Sequence, residues 1–137
     1  MQGLKRAIIF INSQKKDALD LCNTIKNELN LHNITMDIYP SKGKYDLQNE
    51  KNYDIAISLG GDGTVLAAAR TMSPLGIPIF PVNFGTFGFI AGIQPHEWKE
   101  KMKSWINGNL SISKRLMLEI NVERAGKEFL RDLVLMI

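Results

Sequence analysis

The residues of this chain that could do chemistry are concentrated in a glycine-rich segment, GGDGT at 60–64, between an apolar run and a stretch of good helix formers. In an open parallel sheet, ligands bind at the carboxyl ends of strands, where a following helix offers free backbone N–H groups to an anion. Glycines let the backbone approach such a ligand closely and adopt positive φ. This setting favours phosphate as the ligand.

Asp62 is the charged residue of that segment. Because a carboxylate repels phosphate, Asp62 indicates chemistry rather than plain anion binding. It could accept the proton of an attacking hydroxyl, or help to hold Mg²⁺ together with substrate phosphates. The alternative is a tight turn in which Asp62 only caps the following helix. The segment matches neither a Walker A loop nor G-x-G-x-x-G, so the common nucleotide fingerprints do not apply.

A second glycine-rich segment, NFGTFGF at 83–89, follows another apolar run. Two such turns at the ends of neighbouring strands would lie side by side at one edge of a sheet, where a cleft opens. Asn83 and Thr86 supply neutral hydrogen-bonding groups. Phe84 and Phe87 could pack against a base or ribose, but we favour core packing for both.

Hydrophobic periodicity predicts the elements that position these segments. Short apolar runs indicate strands at 6–12, 34–39, 54–59 and 78–82, and helical spacing indicates helices at 16–31, 64–72 and 95–107. Pro95 suits a first helical position and Gly108 suits a helix stop. Strands that alternate with helices predict an α/β fold with a Rossmann-like parallel sheet and flanking helices.

The pattern changes after residue 112. Apolar and polar residues alternate from 116 to 123, and RAGK at 124–127 reads as a hairpin turn before a further apolar run. Two strands alone rarely form an independently stable sheet. We therefore expect 1–112 to form an α/β nucleotide-phosphate-binding domain, and 113–137 to begin a truncated antiparallel, all-β domain.

Composition excludes several classes. Hydrophobic residues make up 45% and charged residues 23%, as in an ordinary globular protein. The net charge of +3 comes from scattered lysines and arginines without interleaved aromatics, so we expect no nucleic-acid partner. The apolar runs are too short to span a membrane, and we expect a cytoplasmic protein without membrane association. Cys22 is predicted to be a core residue, and His32 and His96 lack the spacing of metal ligands, so no resident metal site is predicted.

The segments GGDGTVLAAAR and VNFGTFGFI, followed by RLMLEINVERAG, resemble the NAD kinases over nearly the whole chain. The resemblance implies an enzyme that phosphorylates the 2′-hydroxyl of the adenosine ribose of NAD, with ATP and Mg²⁺, to give NADP. It also implies that inorganic polyphosphate serves some members as donor. GGDGT alone is shared with lipid kinases that act on diacylglycerol or sphingoid bases, and NFGTFGF distinguishes the two groups.

The resemblance also implies a role for individual residues, with Asp62 as the catalytic aspartate. The implied binding residues are Gly61, Gly63 and Thr64 at phosphates, Leu66 and Phe89 in the adenosine pocket, Asn83 in the second turn, and Asp132 at NAD. Arg131 departs from the family pattern, because an asparagine usually precedes the acidic residue there. Ala67 replaces a frequent basic residue, for which Arg70 could substitute one helical turn further on.

Three functions remain open at this point. They are an NAD kinase, a lipid kinase that shares GGDGT, and a nucleotide-binding module without activity. We expect the 137-residue chain alone to be inactive, because phosphoryl transfer requires both partners to be positioned and water to be excluded. The full-length protein is expected to be a homo-oligomer.

Overall fold

A computed structural model describes residues 3–39, 52–84, 90 and 92–136. Four parallel strands form one sheet in the order β2-β1-β3-β4, with β1 at Arg6–Ile11, β2 at Thr35–Ile38, β3 at Ile55–Gly60 and β4 at Ile79–Asn83. Two antiparallel strands, β5 at Leu116–Arg124 and β6 at Lys127–Met136, form a separate hairpin. The predicted fold class is confirmed.

The central strands are mostly apolar because both faces of the sheet are covered, and Ser58 is the buried polar side chain of β3. All six residues of β3 are buried, and so are the four middle residues of β1. A strand that is buried on both faces reads as a continuous apolar run instead of alternating. The unbroken runs in the sequence therefore correspond to the two strands at the middle of the sheet.

Three helices cover the two faces unequally. Helix α1 at Lys16–Leu31 and helix α3 at Trp98–Ile106 pack on the face that carries Ile57, whereas α2 at Asp62–Met72 packs on the face that carries Ala56. The buried side chains of α1 recur at helical spacing and are Ala18, Cys22, Ile25 and Leu29. Cys22 is thus a core residue, as predicted, and burial raises the pKa of its thiol. Among the described residues, no helix is long and apolar enough to cross a membrane.

Two predicted helix starts are wrong. Helix α2 begins at Asp62 and not at Thr64, while α3 begins at Trp98 and not at Pro95. Before α3 the chain makes a closed turn, in which Glu97 N donates to Gln94 O at 2.9 Å and Gln94 N donates to the Glu97 carboxylate at 3.0 Å. The predicted stop is correct, because Gly108 follows α3 with φ +75°.

The hairpin turn lies where the sequence predicts it. Ala125 and Gly126 connect β5 to β6 with φ of +53° and +72°. Two central residues with positive φ match the twist of paired strands. The apolar residues of β5 are largely exposed, with Leu118 at 46%, Ile120 at 40% and Val122 at 41% relative exposure.

Strand β4 lies at the edge of the four-stranded sheet, and the chain partly covers that edge. Ile93 forms a parallel bridge with Val82, accepting a hydrogen bond from Asn83 N and donating one to Pro81 O. Pro81 itself has no N–H, and proline within sheets is confined to edge strands and similar positions. The outer side of residues 81–83 of β4 is therefore already hydrogen-bonded to Ile93.

Candidate functional site

The sheet order creates a crevice between the carboxyl ends of β1 and β3. The helix that follows β1 packs on one face, and the helix that follows β3 packs on the other. At such a topological switch point the two loops diverge, and ligands of open α/β sheets bind there. The GGDGT segment stands on one side of this crevice.

Gly60 is required by close packing. A Cβ at Gly60 would lie 3.0 Å from Thr64 Cβ, closer still to Thr64 Oγ1, and 3.3 Å from Asn12 Cβ. The expectation of positive φ in this turn is wrong, since Gly61 has φ −94° and neither Gly60 nor Gly63 is left-handed. Gly61 and Gly63 instead leave open space, because a Cβ on either would meet nothing within 4 Å.

Asp62 is the first residue of α2 and is half-buried. Gly61 occupies the N-cap position, so the alternative in which Asp62 is the helix cap is wrong. Asp62 Oδ1 accepts a hydrogen bond of 3.1 Å from the backbone N–H of Ile90. The carboxylate thus holds Ile90, which follows the second glycine-rich segment, beside the first turn.

The described start of the second glycine-rich segment, Asn83 and Phe84, lies beside the first turn. Asn83 is the register partner of Gly60 and is buried, at 4% relative exposure. Phe84 N donates to Gly60 O at 2.9 Å, and the Phe84 side chain packs against the core, as we favoured. Residues 85–89, with the predicted Thr86, Phe87 and Phe89, lie outside the described residues.

The structure thus brings most of the predicted site residues together. Those on the first turn and the start of α2 are Gly61, Asp62, Gly63, Thr64 and Leu66, and Asn83 lies beside them on β4. Asp132 is on β6, which approaches α2, but its side chain is outside what the structure describes. No group of three or more His, Cys, Asp or Glu able to hold a metal ion occurs among the described residues.

Two further residues of the site were missed from the sequence, and both belong to the loop between β1 and α1. Asn12 N donates to Leu59 O at 3.0 Å, and Lys15 Nζ donates to Phe84 O at 2.9 Å. The signal that could have identified them is position, because this loop follows a parallel strand and must emerge at the same edge as the glycine turns.

Two carboxylates that lie away from this crevice have lowered pKa values. The Tyr53 hydroxyl donates to Asp37 at 2.8 Å and, with Arg6 at 2.7 Å, holds the pKa of that carboxyl below its usual value. Lys99, whose ammonium lies 3.2 Å from Glu28, lowers the pKa of Glu28 in the same way. These contacts join β1 to β2 and α1 to α3, so their role is structural.

A cavity of about 530 Å³ lies beside β4 and does not include Asp62. Its lining is mainly apolar and comes from α2, β4, α3 and the segment before β5, including Ala69, Trp105 and Met117. Ile90, whose N–H contacts Asp62, also lines this cavity. The carboxylate and the start of α2 converge at the crevice and not in this cavity.

Arg131, the departure noted in the sequence, belongs to a polar cluster on the hairpin. It lies directly across the strands from Asn121 and donates to Asn121 Oδ1 at 3.1 Å. Its guanidinium also pairs with Glu119 at 3.2 Å and Glu128 at 3.5 Å. The arginine is thus accommodated by acceptors on the same exposed surface.

Comparison with known proteins shows which family this chain resembles. The NAD kinase family model, described as the ATP-NAD kinase N-terminal domain, matches residues 4–110. An NAD kinase of Treponema denticola is 38% identical over 129 residues, covering 93% of this chain and 45% of the relative. An NAD kinase of Methanosphaera stadtmanae is 32% identical and covers 93% of this chain and 50% of the relative. The chain therefore spans about half the length of these relatives.

Solved structures show the same fold. Yeast NADH kinase complexed with NADH superposes with a TM-score of 0.79 at 16% identity, covering 97% of this chain and 47% of that one. An NAD kinase from Archaeoglobus fulgidus in complex with ATP gives a TM-score of 0.57 at 19% identity, covering 85% and 40%. With the family model matching most of its length, this chain belongs to the NAD kinase family.

Proposed function

We propose that this chain supplies the nucleotide-phosphate-binding half of an NAD kinase, which transfers the terminal phosphoryl group of ATP to the 2′-hydroxyl of the adenosine ribose of NAD. The observation that carries the proposal is the position of Asp62. It stands at the switch-point crevice, at the start of a helix, and accepts a hydrogen bond from Ile90, the residue that follows the second glycine-rich segment. The product of this reaction is NADP.

In this mechanism the 2′-hydroxyl oxygen attacks the terminal phosphorus of ATP while Asp62 accepts the hydroxyl proton. The bond from that phosphorus to the bridging oxygen breaks, and ADP leaves. The backbone of Gly61, Gly63 and Thr64 contacts phosphate oxygens. The absence of any atom within 4 Å of a Cβ built on Gly61 or Gly63 supports such close approach. The start of α2 adds the positive end of the helix dipole. Positioning and electrostatic stabilisation account for most of the catalysis of phosphoryl transfer.

Mg²⁺ fits the residues at this crevice. It is commonly held by one or two carboxylates together with substrate phosphates, instead of by a protein cage. The described residues contain no cage of three or more carboxylate, histidine or cysteine side chains, and Asp62 is the carboxylate at the crevice. When bound with ATP, the ion would neutralise charge that develops on the phosphates.

The remaining binding roles are also proposals. Leu66 is half-buried and lies one helical turn beyond Asp62 on α2, which supports a place in the adenosine pocket beside Phe89. The burial of Asn83 next to Gly60 supports a role in shaping the second turn. The approach of β6 to α2 supports Asp132 as a residue that contacts NAD.

Several wider expectations are part of the same proposal. The separation of the parallel sheet from the β5–β6 hairpin supports a division into 1–112 and 113–137. The exposed apolar residues of β5 support burial against further protein, either a longer β domain or other copies in a homo-oligomer. A cytoplasmic location and the use of polyphosphate as donor are expectations drawn from the family resemblance.

The decisive assay is NADP formation from NAD and Mg-ATP, run on this chain and on the longest protein that its gene encodes. Asp62→Asn is expected to lower kcat roughly 100- to 10,000-fold, since general-base catalysis contributes about that much. Asp20→Asn, the same change on the exposed surface of α1, serves as the matched control and should leave kcat unchanged. Full turnover by Asp62→Asn would refute the role of Asp62.

Calorimetric titration separates the other two functions. Binding of ATP and NAD without NADP formation in any form of the protein would support a binding module. The lipid-kinase alternative is disfavoured because the curated relatives matched over most of this chain are named NAD kinases. Transfer of phosphate to diacylglycerol instead of NAD would support the lipid-kinase alternative.

A further inference from the structure

The loop between β1 and α1 forms the wall of the crevice opposite the GGDGT turn. Its backbone is held in place, since Asn12 N donates to Leu59 O at 3.0 Å and Lys15 N donates to Asn12 O at 3.2 Å. Gln14 N also donates to Asn12 Oδ1 at 3.2 Å. Side chains that leave this loop therefore start from a defined position next to the end of β3.

Lys15 extends from this loop to the second glycine-rich segment. Its ammonium donates a hydrogen bond of 2.9 Å to the carbonyl oxygen of Phe84, and the residue is half-buried. Phe84 N in turn donates to Gly60 O at 2.9 Å. One residue, Phe84, thus connects Lys15 to the first turn and fixes where the ammonium lies.

The charge of Lys15 is not neutralised by an ion pair in the described part of the chain. No aspartate or glutamate oxygen there lies within 4.0 Å of its Nζ. An ammonium has three N–H donors, and the Phe84 carbonyl uses one. A cation that is fixed, half-buried and without a carboxylate partner at a phosphate-binding edge is suited to an anionic ligand.

We propose that Lys15 binds a phosphate group of the nucleotide held in the crevice, from the β1 side, and that the Phe84 carbonyl positions it for this contact. The proposal rests on the proposed function. It also explains how a phosphate is retained next to the negatively charged Asp62, because the Lys15 ammonium supplies a compensating charge from the opposite wall. The phosphate belongs either to ATP or to NAD, which share this chemistry.

Three variants of the full-length protein test the role of Lys15. Lys15→Met removes both the charge and the donor, Lys15→Gln keeps an N–H donor without charge, and Lys15→Arg keeps the charge. Lys16→Met is the matched control, because Lys16 is the adjacent lysine and is exposed at the first position of α1. The measurements are kcat, the KM for ATP, the KM for NAD, and the melting temperature.

Lys15→Met and Lys15→Gln should each raise the KM of one nucleotide about 10-fold or more, the effect of losing a charge-assisted hydrogen bond. Lys15→Arg should recover most of that loss, and Lys16→Met should stay within about twofold of wild type. A rise confined to the KM for ATP assigns the phosphate to ATP, and a rise confined to the KM for NAD assigns it to NAD.

The proposal is wrong if neither KM rises. A fall in melting temperature with both KM values unchanged would make Lys15 a purely structural tether for Phe84. If Lys15→Met does not fold, Lys15→Gln gives the same test because it retains a donor. Should the wild type form no NADP, calorimetric titration of wild type and Lys15→Gln with ATP and with NAD still decides the inference, and only the proposed function has failed.

Discussion

Replacing Gly60 with alanine tests the packing that brings β3 and α2 together at the crevice. The added Cβ would lie 3.0 Å from Thr64 Cβ, closer to Thr64 Oγ1, and 3.3 Å from Asn12 Cβ. Thr64 lies in the first turn of α2, and Asn12 is fixed by its backbone hydrogen bond to Leu59. The start of α2 or the β1–α1 loop must therefore shift to admit the added Cβ. Overpacking of this kind costs about 1–3 kcal/mol. For a domain of roughly 100 residues, each 1 kcal/mol lowers Tm by about 4–8 °C.

The comparison is a thermal melt, followed by circular dichroism, of five proteins: wild type, Gly60→Ala, Thr64→Ala, Gly63→Ala and the double variant Gly60→Ala/Thr64→Ala. Gly63→Ala is the matched control, because its Cβ would meet nothing within 4 Å and alanine favours a helix by about 0.5–1 kcal/mol over glycine. Its Tm should be unchanged or higher. The double variant Gly60→Ala/Thr64→Ala removes the closest atom and should recover part of the loss, so the two changes will not be additive.

Two results would refute this account of Gly60. One is a Gly60→Ala melt within about 1 °C of wild type, which would correspond to almost no strain. The other is a double variant whose loss equals the sum of the two single losses, because independent sites add. Either result would show that the approach of Thr64 is not what requires glycine here.

Two further predictions concern the rest of the fold. Tyr53, and to a smaller extent Arg6, hold the pKa of Asp37 in the folded protein below its value in the unfolded chain. Wild type should therefore lose stability as the pH falls below about 4. Asp37→Asn should lose less stability over the same pH range. Urea unfolding of both proteins between about pH 6 and pH 3 measures this difference. If the free energies of unfolding of wild type and Asp37→Asn fell equally with pH, the contribution of Asp37 would be refuted. Ile57→Ala, in the fully buried centre of β3, should cost about 2–5 kcal/mol, whereas Leu31→Ala, 78% exposed, should change stability by less than about 0.5 kcal/mol. Equal urea midpoints for these two variants would contradict the assigned core.

Local periodicity was sufficient for the elements whose burial repeats along the chain. Helix α1 has the predicted bounds of Lys16–Leu31, because its four buried residues recur at intervals of three and four. The turn at Ala125–Gly126 was predictable for a different reason. A short polar turn that contains glycine between two runs of β-forming residues indicates a hairpin.

Helix starts were not predictable in the same way. The beginning of α2 carries Gly61 and Asp62, which have poor helix propensity, and Asp62 is bound by Ile90 from another segment. At α3, the hydrogen bonds between Gln94 and Glu97 close a turn before the helix begins. Such contacts depend on the folded arrangement, and local patterns do not record them.

The residues at the site also fall into those that the sequence identified and those that it did not. Asp62 and Asn83 were identified because their residue types and their place after a strand carry information. The contact of Lys15 with Phe84 was not, since it needs the sheet order that places β1 beside β3. The Ile90 donor is a backbone N–H, which every residue except proline has, so no residue type marks it.

The covered edge of β4 has a consequence for how copies of this chain can associate. Exposed strand edges recruit strands of other molecules and so promote aggregation. Beside the crevice, Ile93 already occupies the outer hydrogen-bonding groups of Pro81 and Asn83, and Pro81 has no N–H to offer. Sheet extension between molecules is therefore disfavoured at the end of β4 nearest the crevice, so association of copies through this edge would not block the proposed ligand site.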